Sequence, residues 1–351
     1  MSQCTTAHHQ ESAHFSVLHD FPPSEWEKRW RTFLGRADSP SAYNTPEFFL
    51  EPFWEGKRPF AILASKRREV TGVLTGIHLR DRVISGIPFR PQLCFLADDV
   101  AATTGALLEG LLTETGSTKL IELYSWQSAP LPIFEQNRFR KKQLEGDVVI
   151  DLSLGAEALF KQFHDSRKNN IRTAMRKGIE ISEVKSEKDL SEFWEVFCGW
   201  RESKRKQIQA DVAFAEIKRT HELSANHRRF LARYQGRPVA ASSFRFCPKG
   251  LFEYAGNCSL DEFTRFCPND LLLWKAMEWA CDQGFSKCSM GAAHPFLRKF
   301  GGMVEPICRY RWDRTFLQRH ELKENLRSFP RAVLQALPAP LQQLARASLK
   351  H

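Results

Sequence analysis

The chain has 351 residues, 42% of them hydrophobic, with 27 Phe and 9 Trp, so it can fill cores of ordinary domain size and is neither disordered nor fibrous. No apolar run approaches the roughly 20 residues that cross a bilayer. A formal net charge of +10 points to nucleic acid, an anionic membrane or phosphate-bearing small molecules as partners, and away from a cationic substrate.

Residues Met1–Asp20 contain no basic stretch followed by an apolar one, so no export signal is expected there. Residues 1–14 read as a disordered lead-in, and His8, His9 and His14 scattered through it do not make a metal site. The cysteines, 9 in number and without a CxxC pair, read as reduced, mostly buried thiols of a cytoplasmic protein rather than zinc ligands or disulfides. No metal is expected.

The first regular elements form a meander. An apolar strand, Phe60–Ala64, is followed by a polar turn at Lys66–Glu69, a second strand at Val70–Leu79, a tight turn at Arg80–Arg82 and a third strand at Val83–Gly86. A helix over Ala106–Thr115 then ends at Gly116, and a strand over Leu120–Ser125 follows. Next comes a helical block. Ala156–Lys177 predicts one basic helix stopped at Gly178, and Leu190–Gln207 a second, whose stripe of Phe193, Trp194, Phe197 and Trp200 reads as core.

The opening order then returns. Strands Phe230–Tyr234, Val239–Cys247 and Leu251–Gly256 make a second meander; Pro268-Asn269-Asp270 starts a helix at Leu271–Gln283, which stops at Gly284 before a strand at Ser286–Met290. This repetition predicts an α/β (α+β) fold of two tandem units packed together, each a mixed, mostly antiparallel sheet flanked by helices. The expected boundaries are 15–150 and 151–315, followed by a basic helical tail at 316–351. In that tail Arg319, Lys323, Arg327, Arg331, Arg346 and Lys350 face only Glu321 and Glu324. Leu334, Leu337, Leu341 and Leu344 fall near one face, broken by Pro330, Pro338 and Pro340. Two readings stay open: the tail rests on the body, or on the anionic inner face of a membrane.

Three stretches carry a family resemblance: Ser166–Ile181, a basic helix that ends at a glycine and runs into a strand; Pro268–Gly291, a helix–Gly–strand unit; and Pro295–Gly302 (PFLRKFGG). In this order they resemble the GNAT acetyltransferase superfamily, in its tandem FemAB-like and BioF2-like branches, over about residues 40–315. The resemblance implies transfer of an acyl group onto an amine. The co-substrate is either an aminoacyl-tRNA, as in FemAB-like enzymes that extend a cell-wall precursor peptide, or acyl-CoA, as assumed for BioF2-like relatives. The acceptor is an anionic, amine-bearing molecule such as a cell-envelope or polysaccharide precursor, and no cofactor is held.

The departures from the family pattern define the alternative. Leu297 stands where the family carries a lysine that stabilises the transition state, with Arg298 or Lys299 adjacent as substitutes, and Ser289 stands where an Asp is usual. A catalytically inert relative that binds an anionic polymer or lipid-linked sugar is the rival reading. The loop from Gly256 to Cys267 lacks the paired glycines of a pyrophosphate cradle, which weighs against CoA, although the helix start at Asn269-Asp270 still exposes donors. Backbone N–H groups of Ala255–Cys258 are the expected oxyanion donors, and Phe296, Tyr254 and Asn257 the expected pocket lining. Glu253, opposite Tyr254 on its strand, is either a solvent-facing glutamate or, turned to the cleft, the general base. Lys168, Arg172 and Arg176 are the candidate row for phosphates of the donor or acceptor, set against a plain solvated face.

Overall fold

The structure, a computed structural model, describes residues 13–51, 57–87, 90–96, 100–128, 131–204, 210–223 and 226–328. The first half opens with β1 (His14–Leu18) and α1 (Ser24–Leu34), so His14 belongs to a strand and not to the lead-in. Strands β2 (Arg58–Lys66), β3 (Glu69–Leu79) and β4 (Arg82–Ser85) form the first meander, with short β5 (Leu93–Phe95) beside β3. Then come α2 (Val100–Thr115), β6 (Leu120–Trp126), α3 (Pro132–Gln136) and β7 (Arg140–Asp151).

The second half repeats the plan. After α4 (Ala156–Gln162), α5 (Asp165–Arg176), β8 (Ile179–Glu183), α6 (Glu187–Ser203) and α7 (Ala210–Leu223), the second meander is β9 (His227–Tyr234), β10 (Arg237–Phe246) and β11 (Leu251–Ser259). It is followed by α8 (Pro268–Asp282), β12 (Lys287–Ser289), α9 (Pro295–Arg298), β13 (Met303–Asp313) and α10 (Arg319–Ser328). The tail residues 329–351, with their leucine face and prolines, lie outside the described residues, as do 1–12.

Even the turns repeat. The β2–β3 link is Arg67-Arg68 and the β9–β10 link is Gln235-Gly236, each a two-residue loop with positive φ at both positions. That geometry is the one whose twist matches two antiparallel strands. The described strands form one 13-stranded sheet in the order β1-β2-β3-β4-β6-β13-β7-β12-β11-β10-β9-β8, with β5 off the path. Each half therefore donates its last strand to the other: β13 pairs with β6, and β7 with β12. The order reads the same from both ends once the halves are exchanged.

The helices follow from burial. In the first half Leu107, Leu108 and Leu111 of α2 pack on Phe60, Ile62, Leu74 and Val83; in the second Leu272, Leu273, Ala276 and Met277 of α8 pack on Phe230, Phe244 and Phe252. Of the expected stripe on α6, Phe193 is core, packing with Val196 against Leu231 and Ala241; Phe197 and Trp200 are half-buried against that cluster, and Trp194 is half-buried outside it. One expectation is overturned. The continuous helix over 156–177 breaks at Phe163-His164, both extended, because Phe163 turns into the core against Trp274 and Phe300. His164 then caps α5, its Nδ1 accepting from the Ser166 N–H at 3.1 Å. The described cysteines carry no disulfide; Cys94, Cys247, Cys258, Cys288 and Cys308 are buried.

The seam between the halves is the β7–β13 pair, whose register shifts at Glu305/Ile307. Gly146 sits opposite this bulge with φ +98, and a Cβ there would lie 2.1 Å from the Glu305 carbonyl oxygen. Both the backbone conformation and the space demand glycine. Gly146→Ala is expected to destabilise the fold by about 3 kcal/mol or more, read as a lowered urea midpoint at unchanged slope.

Candidate active site

Strand β11 bonds to β10 along most of its length but to β12 only at Leu251–Glu253. Past the Glu253↔Ser289 pair the two parallel strands part, and the chain after β12 turns instead to β7, where the Met290 N–H meets the Val148 carbonyl at 2.9 Å. From Tyr254 to Ser259, then, β11 has a strand on one side only. Its other edge presents main-chain N–H and C=O groups to an opening, and such groups need partners.

One face of the sheet at this opening carries carboxyl chemistry. Asp147 on β7 is fully buried, and its Oδ2 accepts from Ser289 Oγ, while its Oδ1 is buried without a hydrogen-bond partner. Burial pushes the Asp147 carboxyl up to about 7, with nearby Glu253 adding to the rise against the pull of Ser289, the Gly291 amide and Arg90. The carboxyl bonded to Ser289 thus comes from β7, the exchanged strand of the first half. Glu253 is 2% exposed, which overturns the solvent-facing reading. Its Oε2 accepts from the Ala42 N–H at 2.7 Å, and burial raises its pKa. Arg90, from the first half, crosses the opening and donates through Nη2 to the Tyr254 carbonyl at 2.9 Å.

The other face carries Tyr254, half-buried against Phe244 with ring centroids 5.8 Å apart. Burial pushes its phenol well up, so it stays protonated, and the Asn257 amide bears on its hydroxyl. Asn269, at the start of α8, donates to Ser259 Oγ at 3.0 Å. The next residue, Asp270, is buried in that first turn and ion-paired at 2.6 Å with Arg167, whose guanidinium lies 4.7 Å over the Phe296 ring. The helix terminus that would hold a pyrophosphate already has an internal carboxylate beside it.

Tyr254, Asn257 and Asn269 therefore come together at the free edge of β11, with Phe296 joined to them through Arg167 and Asp270. Arg298 and Lys299 are both exposed. Arg298 is tied to the Ala293 carbonyl at 2.8 Å and to Glu145 at 2.7 Å, and Lys299 gives its carbonyl to the His164 N–H. Leu297 is 7% exposed within the second core, so a lysine there would have to bury its ammonium or displace α9. Lys168 is held by Asp165 at 2.9 Å, whereas Arg172 and Arg176 are exposed on the outer face of α5. Lys161, which one continuous helix would have aligned with Lys168 and Arg172, belongs to the separate α4. Asp147 and Arg90 had no local signal; both reach the site only through long-range pairing.

The family model of the acetyltransferase (GNAT) domain matches residues 165–297. The fold is similar to that of FemX, at 12% identity over 88% of this chain and 99% of that one with a TM-score of 0.65. It is also similar to a C-terminal domain named for a lysylphosphatidylglycerol synthetase of Agrobacterium fabrum, at 12% identity, 85% and 95% coverage and TM-score 0.59. A tandem GNAT protein of the clavulanic acid biosynthesis pathway matches at 10% identity, 87% and 99% coverage and TM-score 0.50. No curated protein sequence matches this chain. Residues 165–297 thus match an acetyltransferase (GNAT) domain, and the duplicated order with its exchanged last strands gives the chain a tandem fold similar to that of FemX.

Proposed function

We propose that the protein is an N-acyltransferase that moves an aminoacyl group from aminoacyl-tRNA onto an amine, at the opening between β11 and β12. The observation that carries this reading is the unpaired edge of β11 with a near-neutral carboxyl, Asp147, on one face and a protonated phenol, Tyr254, on the other. Asp147 takes a proton from the acceptor amine, whose nitrogen attacks the ester carbonyl. Main-chain N–H groups of the free edge receive the developing oxyanion. The C–N bond forms, the C–O bond to the ribose breaks, and Tyr254 returns a proton to the departing oxygen.

The donor follows from what surrounds α8. The Gly256–Cys267 connection lacks a glycine cradle, and Asp270 with Arg167 fills the helix terminus, an arrangement that disfavours a CoA pyrophosphate. Arg172 and Arg176, with Lys168 beside them, suit a polyanion laid along α5. Binding of aminoacyl-tRNA and of acetyl-CoA, followed by titration at two salt concentrations, tests this. Aminoacyl-tRNA is expected to bind with a steep salt dependence, and Lys168→Glu with Arg172→Glu and Arg176→Glu to weaken it by at least about 10-fold. Saturable acetyl-CoA binding that ignores the triple replacement would assign the donor to CoA. Binding of tRNA with no turnover of any aminoacyl ester would leave the inert-binder reading.

A further inference from the structure

The register places a second row of residues beside the carboxyl groups. His227, Arg245 and Glu253 pair across β9, β10 and β11, and next to them on the same face run Arg229, Ser243 and Gly256. This is the face covered by α6, since Leu231 and Ala241 one step further pack on Phe193 and Val196. A Cβ built on Gly256 meets nothing within 4 Å, so the row ends in open space at the free edge of β11.

Arg229 is 6% exposed, and its guanidinium has no ion pair or hydrogen bond among the described residues. Its guanidinium lies 5.8 Å from the Phe193 ring, and the charges of Arg245 and Glu51 bear on it in opposite senses. The nearby carboxyl groups are bonded to other partners. Glu51 is bonded to Arg245 at 3.1 Å and to His227 at 2.8 Å, and Glu253 faces both Arg90 and Arg245. Both of these carboxyl groups are thus engaged elsewhere, and neither is bonded to Arg229. A buried guanidinium without a hydrogen-bond partner is costly, and a ligand anion removes that cost.

We infer that Arg229 is the anion-recognition residue of the acceptor site and takes a single carboxylate of the amine-bearing acceptor. This rests on the acyltransfer reading above. A planar carboxylate meets the guanidinium fork through two parallel hydrogen bonds. Across the sheet, β9 lies two strand spacings from the edge of β11, about 10 Å, and an extended arginine covers more than half of that. An amine at the edge and a carboxylate at Arg229 then belong to one small molecule or one terminal residue, as in an amino acid or a peptide end.

The test separates binding from turnover. Thermal unfolding is followed in acetate, inorganic phosphate and chloride at equal ionic strength, for the wild type and for Arg229→Met. Acetate is expected to raise the wild-type Tm saturably, chloride to leave it, and Arg229→Met to abolish the acetate response while unfolding at a higher Tm than wild type without oxyanion. An acetate response equal in both proteins, or absent from the wild type, overturns the inference, and a response to phosphate but not acetate overturns the carboxylate. Should Arg229→Met not fold, the Arg229 Nε–H NMR resonance of the wild type, assigned by its loss in Arg229→Lys, is titrated with acetate, and a static resonance overturns it equally. Loss of turnover with an intact acetate response would instead strike only the acyltransfer reading.

Discussion

Asp147→Asn lowers turnover by at least about 100-fold, the smallest loss expected when a general base is removed, and at the same time stabilises the folded protein. Both effects come from one carboxyl. Burial lifts its pKa from 3.8 to about 7, so at neutral pH it is poised to accept a proton. The wild-type rate should climb as pH rises through about 7, and the residual rate of the variant should lack that limb. The stability sign is the reverse. Between pH 3.8 and about 7 the folded state holds a proton that the unfolded chain has released, so wild-type stability is fully present below the unfolded pKa and falls as pH rises through the folded one. Asparagine does not titrate. Above pH 7 the variant should therefore be more stable, by up to about 4 kcal/mol, with the gap closing near pH 4. A carboxyl that merely held Ser289 in place would give a rate loss without the altered pH limb, and that pair of measurements decides its role.

The same residue marks where the sequence stops being readable. The meanders were legible because their causes are local: two-residue turns at Arg67-Arg68 and Gln235-Gly236, alternation along β3 and β10, and helix stops at Gly116 and Gly284. Period-2 alternation also placed Glu253 and Tyr254 on opposite faces correctly. What alternation could not say is which face would be covered. Glu253 is buried because Ala42, from the other half of the chain, comes to lie against it. Likewise GDVVID around Asp147 reads as an ordinary strand end. Its carboxyl becomes part of the site only because β7 leaves its own half and pairs with β12. The break at Phe163-His164 escaped for a related reason: both residues suit a helix locally, and the aromatic pocket of Trp274 and Phe300 decides otherwise. Arg229 gives no signal within HRRFLARY, where every strand arginine looks alike.

Glu51→Gln is expected to cost about 3–5 kcal/mol, the range for removing one partner from a buried ion pair. Glu51 follows the 3-10 turn Pro46–Leu50 in the first half, yet its carboxylate serves Arg245 and His227 in the second. Burial alone would raise its pKa; the charge of Arg245, with His227, overrides that and draws it down to about 2. Its contribution is thus present above pH 4.5 and lost as pH falls from there toward about 2, so wild type and variant should converge in acid. Glutamine keeps the shape and can still accept a hydrogen bond, so the loss reports charge rather than packing. Without that carboxylate the repulsion between Arg229 and Arg245 loses its nearest offset, and the excess charge disfavours the docking of the Pro46–Leu50 turn against β9 and β10. Adding Arg245→Met to Glu51→Gln should recover part of the loss, because the second replacement removes the cation that the first exposed. A midpoint change below about 1 kcal/mol for Glu51→Gln would mean that solvent already screens this pair, and the two halves would then be held together by the exchanged strands without help from the buried charges.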